Sequence, residues 1–296
     1  MRNANEGMLI SFEGVKRAFG KKQVLRGVTG SVSRGRVVGL IGRNGEGKTT
    51  LLKIALDLLA ADEGRVSVCG RAPDGSGEIR QLAGYVPERP AFHGFMTFAE
   101  ELKLRSGLFK NWDAAAAAEC ASRLGVDLNM RVADANKGAL AKLAWVCATS
   151  HRAELLLLDE PTSGLDALVR EQVLGELIGR LQDEGKSVLI ANHHAEEMGA
   201  ILDEVWVLAG GAIAGVYDAE HLRRGTRMVK GRRGKGSLPS GVKAVHVMED
   251  GALAVCAALD EESARLVVES GALENAEVTP MDFSGAMKLL LRMHGE

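Results

Sequence analysis

The sequence predicts an α/β domain with a parallel-sheet core, followed by a small α+β appendage at the carboxyl end. Short apolar and β-branched runs alternate with helical patterns from about residue 35 to 210, which is typical of parallel strands joined by crossover helices. A basic, glycine-rich stretch then interrupts this alternation, and a hairpin signal follows it. The 296 residues suffice for one large domain or two smaller ones, at roughly 150 residues each.

Composition narrows the class of protein. Hydrophobic residues make up 46% and charged residues 26% of the chain, so we expect a packed core rather than disorder. The formal net charge of −2 gives no general attraction for nucleic acid. The four cysteines lie far apart without metal-ligand spacing, and we expect reduced, packed thiols. Because no run approaches roughly 18 apolar residues and the amino terminus lacks a signal-peptide pattern, a cytoplasmic protein is expected.

The first core elements surround a glycine-rich loop. Residues 36–41 predict a strand that leads into this loop, and residues 48–59 predict the helix after it. Further along, residues 155–158 form an apolar run short enough for a strand buried on both faces. Residues 187–191 predict another strand, and a helix is expected near residues 195–201.

A helical insert is expected at about residues 90–150, between strands of the core. Thr97 and Glu100 have the spacing of a capping box, which predicts a helix through about residue 108. Residues 112–124 include five consecutive alanines and end before a glycine, so they predict a second helix. Residues 138–149 predict a third.

The carboxyl-terminal part is expected to comprise a linker and a small folded unit. Residues 225–242 are predicted to be a basic, glycine-rich linker, because residues 223–235 are rich in Arg, Lys and Gly and contain no acid. Residues 243–248 and 252–257 flank Asp250-Gly251, a dipeptide typical of hairpin turns. With helices expected at 261–270 and 283–292, residues 243–296 form the predicted α+β appendage.

One segment fits the phosphate-loop pattern, GxxxxGK followed by Ser or Thr. Its residues, with the adjoining Thr50, are Gly42, Arg43, Asn44, Gly45, Glu46, Gly47, Lys48 and Thr49. Glycines let the backbone curl around phosphate and bring its N–H groups close, while the following helix points its positive end at the same group. Lys48 would neutralise the β and γ oxygens, and the Thr49 hydroxyl would bind Mg²⁺.

An acidic pair supplies the second half of this predicted site. Asp159 ends the apolar run, so it would hold a fixed negative charge beside the phosphate loop and bind Mg²⁺ directly or through water. Glu160, one residue later, would polarise the attacking water. We therefore interpret Lys48 and Glu160 as catalytic, and Thr49 and Asp159 as metal ligands.

These motifs resemble those of ABC ATPases. Glu160 is followed by PTSGLD, which is similar to the D-loop of the family, and the form of the phosphate loop and Asn192-His193 are also ABC-like. The resemblance extends over about residues 8–222, and residues 8–224 are predicted to form the ATPase domain. It implies a P-loop NTPase cassette with a parallel-sheet core, amino-terminal antiparallel strands and a helical insert, with ATP and Mg²⁺ as cofactors.

The resemblance also implies roles for single residues. Phe19 would stack on adenine, and Glu88 would occupy the Q-loop position, facing the Mg²⁺ or its water. His193 would be the catalytic switch histidine that contacts the γ-phosphate. Asp166 would communicate across a dimer that encloses ATP.

Two positions depart from the family pattern. Glu88 stands where most members have Gln, a variant similar to ATPases of type-2 exporters, in which a short carboxyl-terminal appendage is also common. At the signature position, residues 135–139 read ANKGA instead of LSGGQ. Asn136, Lys137 and Gly138 would then offer a donor, a cation and a close approach to the γ-phosphate of the opposite subunit. Full hydrolysis and a weakened site both remain open.

The resemblance implies two partners. One is a transmembrane permease, which would hold the chain at the inner face of the cell membrane, and the other is a second ATPase subunit, identical or different. Two alternatives stay open: a soluble ABC ATPase that acts on nucleic acid or ribosomes, and a degenerate subunit that binds ATP without hydrolysing it. The basic residues of 223–235 motivate the first, although a solvated linker explains them more simply, and no nucleic acid is expected. The ANKGA departure motivates the second.

Overall fold

The computed structural model describes residues 7–192, 198–239, 243–247 and 254–294. The predicted Asp250-Gly251 turn, His193 and residues 195–197 of the helix expected near residues 195–201 lie outside these ranges, and the described residues 198–201 form a turn rather than an α-helix. Within them, no helix combines the length and apolar character needed to cross a bilayer.

Thirteen strands are found in the described residues. They are β1 (Met8–Phe19), β2 (Lys22–Ser33), β3 (Val37–Ile41), β4 (Glu63–Val68), β5 (Ala83–Val86), β6 (Leu155–Asp159), β7 (Ser187–Ala191), β8 (Glu204–Ala209), β9 (Ala212–Asp218), β10 (Arg227–Arg233), β11 (Lys243–Val247), β12 (Ala254–Ala258) and β13 (Leu273–Pro280).

The α-helices in the same residues connect and cover these strands. They are α1 (Lys48–Ala55), α2 (Glu78–Leu82), α3 (Phe98–Ser106), α4 (Ala114–Arg123), α5 (Lys137–Thr149), α6 (Ala167–Glu184), α7 (Ala219–Gly225), α8 (Glu261–Glu269) and α9 (Phe283–His294).

A six-stranded sheet forms the core, in the order β5-β6-β7-β3-β8-β9. The strands pair in parallel from β5 to β8, and β9 pairs antiparallel at one edge. The strands predicted at 36–41, 155–158 and 187–191 are β3, β6 and β7, and each is buried throughout. The prediction of an α/β fold with a parallel core is therefore confirmed.

Strands β2, β1 and β4 form a second, antiparallel sheet, which packs against α1. Its inward side chains, such as Phe12 and Leu25, share one buried cluster with α1 and with one face of the core sheet. This cluster fixes α1, and with it the loop before α1, against the rest of the domain. The helix ends at Ala55, before the predicted residue 59, and Asp57 shortly after it has a left-handed backbone (φ 56°).

The helical insert is formed by α3, α4 and α5. The predicted capping box is present, because the Thr97 hydroxyl accepts from Glu100 N and the Glu100 carboxylate accepts from Thr97 N. Helix α4 begins two residues later than predicted, since Asp113 acts as its amino-terminal cap and accepts from Ala116 N at 2.9 Å.

The carboxyl-terminal part contains a four-stranded antiparallel sheet in the order β11-β12-β10-β13. Strand β10 lies inside the segment predicted to be a linker, so the linker prediction does not hold for Arg227–Arg233. Val229 of this strand is fully buried in a small cluster with Ala264 and Val267 of α8. The linker prediction was wrong here because it was based on the basic side chains, and these alternate along the strand with residues that pack under α8.

Helix α9 packs on the core domain, against α7 and β8, and it also contacts β11 of the appendage sheet. Its residues Ala286, Met287 and Leu290 are buried in the large cluster that also contains Met198 and Leu202. The end of the chain therefore returns to the core and covers the described segment that follows residue 197.

Candidate functional site

The phosphate loop joins β3 to α1 and has the backbone that its glycines permit. Gly45 and Gly47 have left-handed φ angles of 88° and 106°. A Cβ at Gly42 would lie 2.5 Å from the Leu208 carbonyl oxygen, so only glycine fits there. The loop is thus held against β8 at one end and continues directly into the first turn of α1 at the other.

Lys48 lies buried at the centre of the site. Its Nζ donates to the Gly42 carbonyl at 2.7 Å and lies 3.7 Å from Oε1 of Glu160. Burial lowers the pKa of Lys48, while the charges of Glu160 and Asp159 act in the opposite direction. These two carboxylates favour the ammonium form, which is the form that attracts phosphate.

Asp159 ends β6 and faces the first turn of α1. Its Oδ1 accepts from the Thr49 hydroxyl at 3.0 Å, and its Oδ2 accepts from the Tyr85 hydroxyl at 3.4 Å. Burial raises the pKa of Asp159, an effect that the Thr49 hydrogen bond opposes and the charge of Glu160 reinforces. The hydroxyl of Thr49 and the carboxylate of Asp159 thus place two oxygen atoms together that could both coordinate a hard metal cation.

Glu160 has a left-handed backbone, with φ of 50°. Such a conformation costs a residue other than glycine about 1–3 kcal/mol. Its N–H donates to the Ala191 carbonyl at 2.8 Å, and its carboxylate is 8% exposed. The turn directs this carboxylate towards Lys48, so the backbone strain occurs at the position where the charge is needed.

A cavity of about 650 Å³ opens over these groups. Phe19 lies on its wall, is 48% exposed, and has the guanidinium of Arg17 5.1 Å from its ring centroid. Glu88 borders the same cavity. The residues that line it are Phe19, Lys22, Val24, Asn44, Gly45, Gly47, Lys48, Thr49, Thr50, Glu88, Glu160 and Ser163.

Four of the residues at this site were not predicted from the sequence. Lys22, Val24 and Ser163 line the cavity, and Tyr85 donates to Asp159. Ser163 lies within the PTSGLD motif, and Tyr85 lies on β5, shortly before Glu88 in the chain, so both had a positional signal. Lys22 and Val24 had none, because they reach the cavity only through the pairing of β1 with β2.

The signature residues lie away from this cavity, at the start of α5. Asn136 caps that helix, with its Oδ1 accepting from Ala139 N at 2.8 Å. Lys137 is exposed, and its ammonium lies against Gly164. Asp166 caps α6 by accepting from Val169 N at 2.9 Å. Asn136, Lys137, Gly138 and Asp166 do not line the described cavity.

Comparison with known proteins agrees with these features. A family model described as ABC transporter matches residues 25–163. The chain is 26% identical over 215 residues to the ABC transporter ATP-binding protein YtrB of Bacillus subtilis, covering 73% of this chain and 74% of that protein. It is 35% identical over 208 residues to the Nod factor export ATP-binding protein I of Burkholderia orbicola, covering 68% of each.

Solved structures show the same fold. The structure of an ATP binding subunit of an ABC transporter is 26% identical, has a TM-score of 0.66, and covers 73% of this chain and 92% of that one. The ATP-binding cassette MJ0796, bound to ADP and Pi in a post-hydrolysis state, superposes with a TM-score of 0.64 at 20% identity, covering 71% of this chain and 98% of that one. The chain therefore belongs to the ATP-binding proteins of ABC transporters, a family of ATPases.

Proposed function

We propose that the chain hydrolyses Mg-ATP in the cavity over the phosphate loop and thereby powers an exporter through a separate permease. One observation carries the proposal: the loop and the acidic pair meet, with Thr49 3.0 Å from Asp159 and Lys48 3.7 Å from Glu160. A cation, a carboxylate base and an oxygen-donor pair thus surround one volume, as transfer of a γ-phosphoryl group requires.

The donor set at Thr49 and Asp159 fits Mg²⁺. This ion prefers oxygen ligands and is usually held by one or two carboxylates together with substrate phosphates and water. The described residues contain no cluster of three His, Cys, Asp or Glu that would form an all-protein metal site, and Mg²⁺ needs none. We assign Thr49 and Asp159 as its ligands, with Glu88 facing it from the cavity wall. Bound there, Mg²⁺ would offset the negative charge of the phosphates.

The chain's own residues divide the remaining work. Lys48 neutralises the transferred phosphoryl oxygens, and the N–H groups of the loop hold the phosphates. Glu160 orients and polarises the attacking water, because its carboxylate is buried at the cavity edge beside Lys48. Phe19 provides a partly exposed ring for adenine. By resemblance to the family, His193, which lies outside the described residues, would contact the γ-phosphate.

A second ATPase subunit completes the site in this proposal. Asn136, Lys137 and Gly138 do not line the cavity of their own chain, so in this proposal they serve the nucleotide of the opposing subunit. Asn136 uses its side-chain oxygen for the helix cap, which leaves its amide N–H donors for phosphate. Lys137 is exposed and adds a cation. Asp166, which caps α6, would lie at the same dimer contact.

Export through a permease is supported by the relatives, one of which is named for Nod factor export. The glutamate at position 88 and the folded appendage favour the same direction. The helical insert and the Q-loop region around Glu88 would transmit motion to the permease at the inner face of the membrane. Nothing in the comparisons supports a nucleic-acid or ribosome partner.

The assignment of Glu160 is tested by Glu160→Gln in the purified chain. Turnover of ATP should fall by about 100-fold or more, because a general base contributes about 10²–10⁴ to the rate. Affinity for ATP should be retained, and ATP-bound dimers should accumulate in size-exclusion chromatography. Glu119→Gln, on an exposed position of α4, is the matched control and should keep the parental turnover. Equal turnover by Glu160→Gln and the parent would remove Glu160 from the mechanism.

A further inference from the structure

The turn at residues 198–202 is held by a side chain of α7. The guanidinium of Arg223 donates from Nε to the Gly199 carbonyl at 2.9 Å and from Nη2 to the Leu202 carbonyl at 2.6 Å. Both hydrogen bonds are charge-assisted, and such bonds are stronger than those between neutral groups. Arg223 therefore fixes the turn near each of its ends.

The first residue of α9, Phe283, packs on the same turn. The guanidinium carbon of Arg223 lies over the Phe283 ring, 5.8 Å from its centroid, which is within the range of a cation–π contact. A Cβ built at Gly199 would lie 2.3 Å from Cδ1 of the ring, so the ring rests on the Gly199 backbone and a larger residue would displace it. We call Arg223 and Phe283, with the turn at 198–202 that they hold, the α9 clamp.

Leu202, the last residue of the turn, lies on the strand that leads to the phosphate loop. A Cβ built at Gly39 of β3 would lie 2.8 Å from Cδ1 of Leu202, so the side chain is in close contact with this strand. Leu202 is buried in one cluster with Ile41, the last residue of β3, and with Met287 and Leu290 of α9. The packing of α9 therefore continues through Leu202 to the strand that ends at the phosphate loop.

Hydrogen bonds join the end of the turn to the start of β3. The Asp203 N–H donates to the Val37 carbonyl at 2.8 Å, and the Val37 N–H donates to the Asp203 carboxylate at 2.8 Å. The N–H of Ala219, at the start of α7, donates to the Asp203 carbonyl at 3.0 Å. Because protein interiors are close-packed and transmit strain, a shift of the turn moves β3 as well.

We propose that Phe283 and Arg223 are positioning residues for ATP hydrolysis, which act through Leu202 and β3 to hold the phosphate loop. A misplacement of about 1 Å can cost a reaction about 100-fold, so support of the strand before the loop affects the rate more than it affects binding. The inference rests on the proposed function, because it presumes hydrolysis over the phosphate loop. It adds a role for the carboxyl-terminal helix, which contributes no residue to the described cavity.

The first test compares the steady-state kinetics of the full-length parent, Phe283→Ala and Val267→Ala. Loss of the ring opens space over Gly199, so Phe283→Ala should lower kcat about five- to tenfold and change the KM for ATP by less than about twofold. Val267→Ala is the matched control, because Val267 is fully buried in the appendage but belongs to a different cluster. It should keep the parental kcat although it also lowers stability. Phe283→Leu, which refills most of the space, should recover about half or more of the lost kcat.

Hydrogen–deuterium exchange, followed by mass spectrometry, locates the effect on the chain. In Phe283→Ala and in Arg223→Gln, exchange should become about fivefold faster in peptides that cover residues 198–206 and 37–47, because the turn and the strand before the loop lose support. Peptides that cover α4 should keep the parental rate. The double variant should lower kcat by less than the product of the two single effects, since both side chains act on one turn.

Three results would overturn the proposal: a kcat of Phe283→Ala equal to that of Val267→Ala, a loss confined to KM, or unchanged exchange of residues 37–47 in both clamp variants. Thermal melting confirms that each variant is folded, and if Phe283→Ala is not, Phe283→Leu and Arg223→Gln decide by the same measurements. A parent chain that never hydrolyses ATP would refute the proposed function. The exchange of residues 37–47 would then decide alone whether the α9 clamp supports the phosphate loop.

Discussion

At the scale of single residues, Gly45 and Gly47 share a left-handed backbone but differ in their surroundings. A Cβ at Gly47 would lie 2.6 Å from Cδ2 of Leu25, whereas a Cβ at Gly45 would meet nothing within 4 Å. Backbone strain therefore applies to both positions, and a steric clash applies to Gly47 alone. Leu25 is fully buried between the amino-terminal sheet and α1, so it has little room to move.

We predict that Gly45→Ala lowers the free energy of unfolding by about 1 kcal/mol through strain alone. Gly47→Ala should lower it by about 2–4 kcal/mol, because overpacking adds about 1–3 kcal/mol. Urea unfolding followed by circular dichroism measures both. Equal losses for the two variants would show that the contact with Leu25 is unimportant.

His151 predicts a pH dependence of stability. Burial lowers the pKa of His151 from its ordinary value of 6.5, and the charge of Lys186 acts in the same direction. The unfolded chain therefore binds this proton more readily than the folded chain, so stability is full above about pH 6.5 and falls as the pH decreases from there. We expect His151→Leu to flatten the decline of the melting temperature between about pH 7 and pH 5. An unchanged decline in the variant would contradict this assignment.

The residues of the site could be predicted where a motif names them, or where the family resemblance assigns them, as it does Phe19 and Glu88. Lys48, Thr49, Asp159 and Glu160 belong to segments whose spacing is tied to phosphate chemistry. The contribution of Tyr85, by contrast, depends on the parallel pairing that sets β5 beside β6, and no local pattern encodes that contact.

At the scale of elements, α9 links the appendage to the core. Leu290 of α9 is fully buried in the core cluster, and the Phe283 ring lies against Gly199 and beneath the guanidinium of Arg223. The Tyr217 hydroxyl on β9 and Nε2 of His294 lie 2.6 Å apart. The last helix is thus part of the core's packing.

We predict that Leu290→Ala lowers the stability of the whole chain by about 2–5 kcal/mol, as buried Leu→Ala changes do. Leu266→Ala is the matched control, because Leu266 is 45% exposed on α8, and its replacement should cost less than about 1 kcal/mol. Both are measured by chemical denaturation. A loss at Leu290 no larger than at Leu266 would mean that α9 is not integral to the core.

The helices of the insert were predictable because caps and periodicity are local signals. Strand β10 was not, since its sequence RMVKGRR reads as a basic linker. In the sheet, Lys230 is opposite Glu277 and Arg232 is opposite Glu274 on β13. Opposite charges across neighbouring strands stabilise a sheet, but this compensation comes from a strand more than 40 residues away.

At the scale of the whole molecule, the order of the core strands creates the site. Strand β7 lies between β3 and β6, and all three run in parallel. Their carboxyl ends therefore meet at one edge, which is where ligands of open α/β sheets bind. The loop after β3 and the acidic pair at the end of β6 converge there, although more than 100 residues separate them in the chain.

The architecture of the core was predictable from the alternation of strands and helices and from the resemblance to ABC ATPases. The docking of α9 on the core was not, because it depends on the shape of a surface that many segments build together. The domain boundaries at 8–224 and 243–296 stay predictions, and β10 shows that folded structure begins before residue 243.

The most direct test of the account measures how Mg²⁺ changes the affinity of the purified chain for ADP, by isothermal titration calorimetry. We predict that Mg²⁺ strengthens binding by about tenfold or more in the parent, and that Asp159→Asn loses most of this gain. Asp127→Asn, on an exposed turn of the insert, should behave as the parent does. An affinity for ADP that does not depend on Mg²⁺ in the parent, or a gain that survives in Asp159→Asn, would contradict the convergence of the phosphate loop and the acidic pair on one nucleotide.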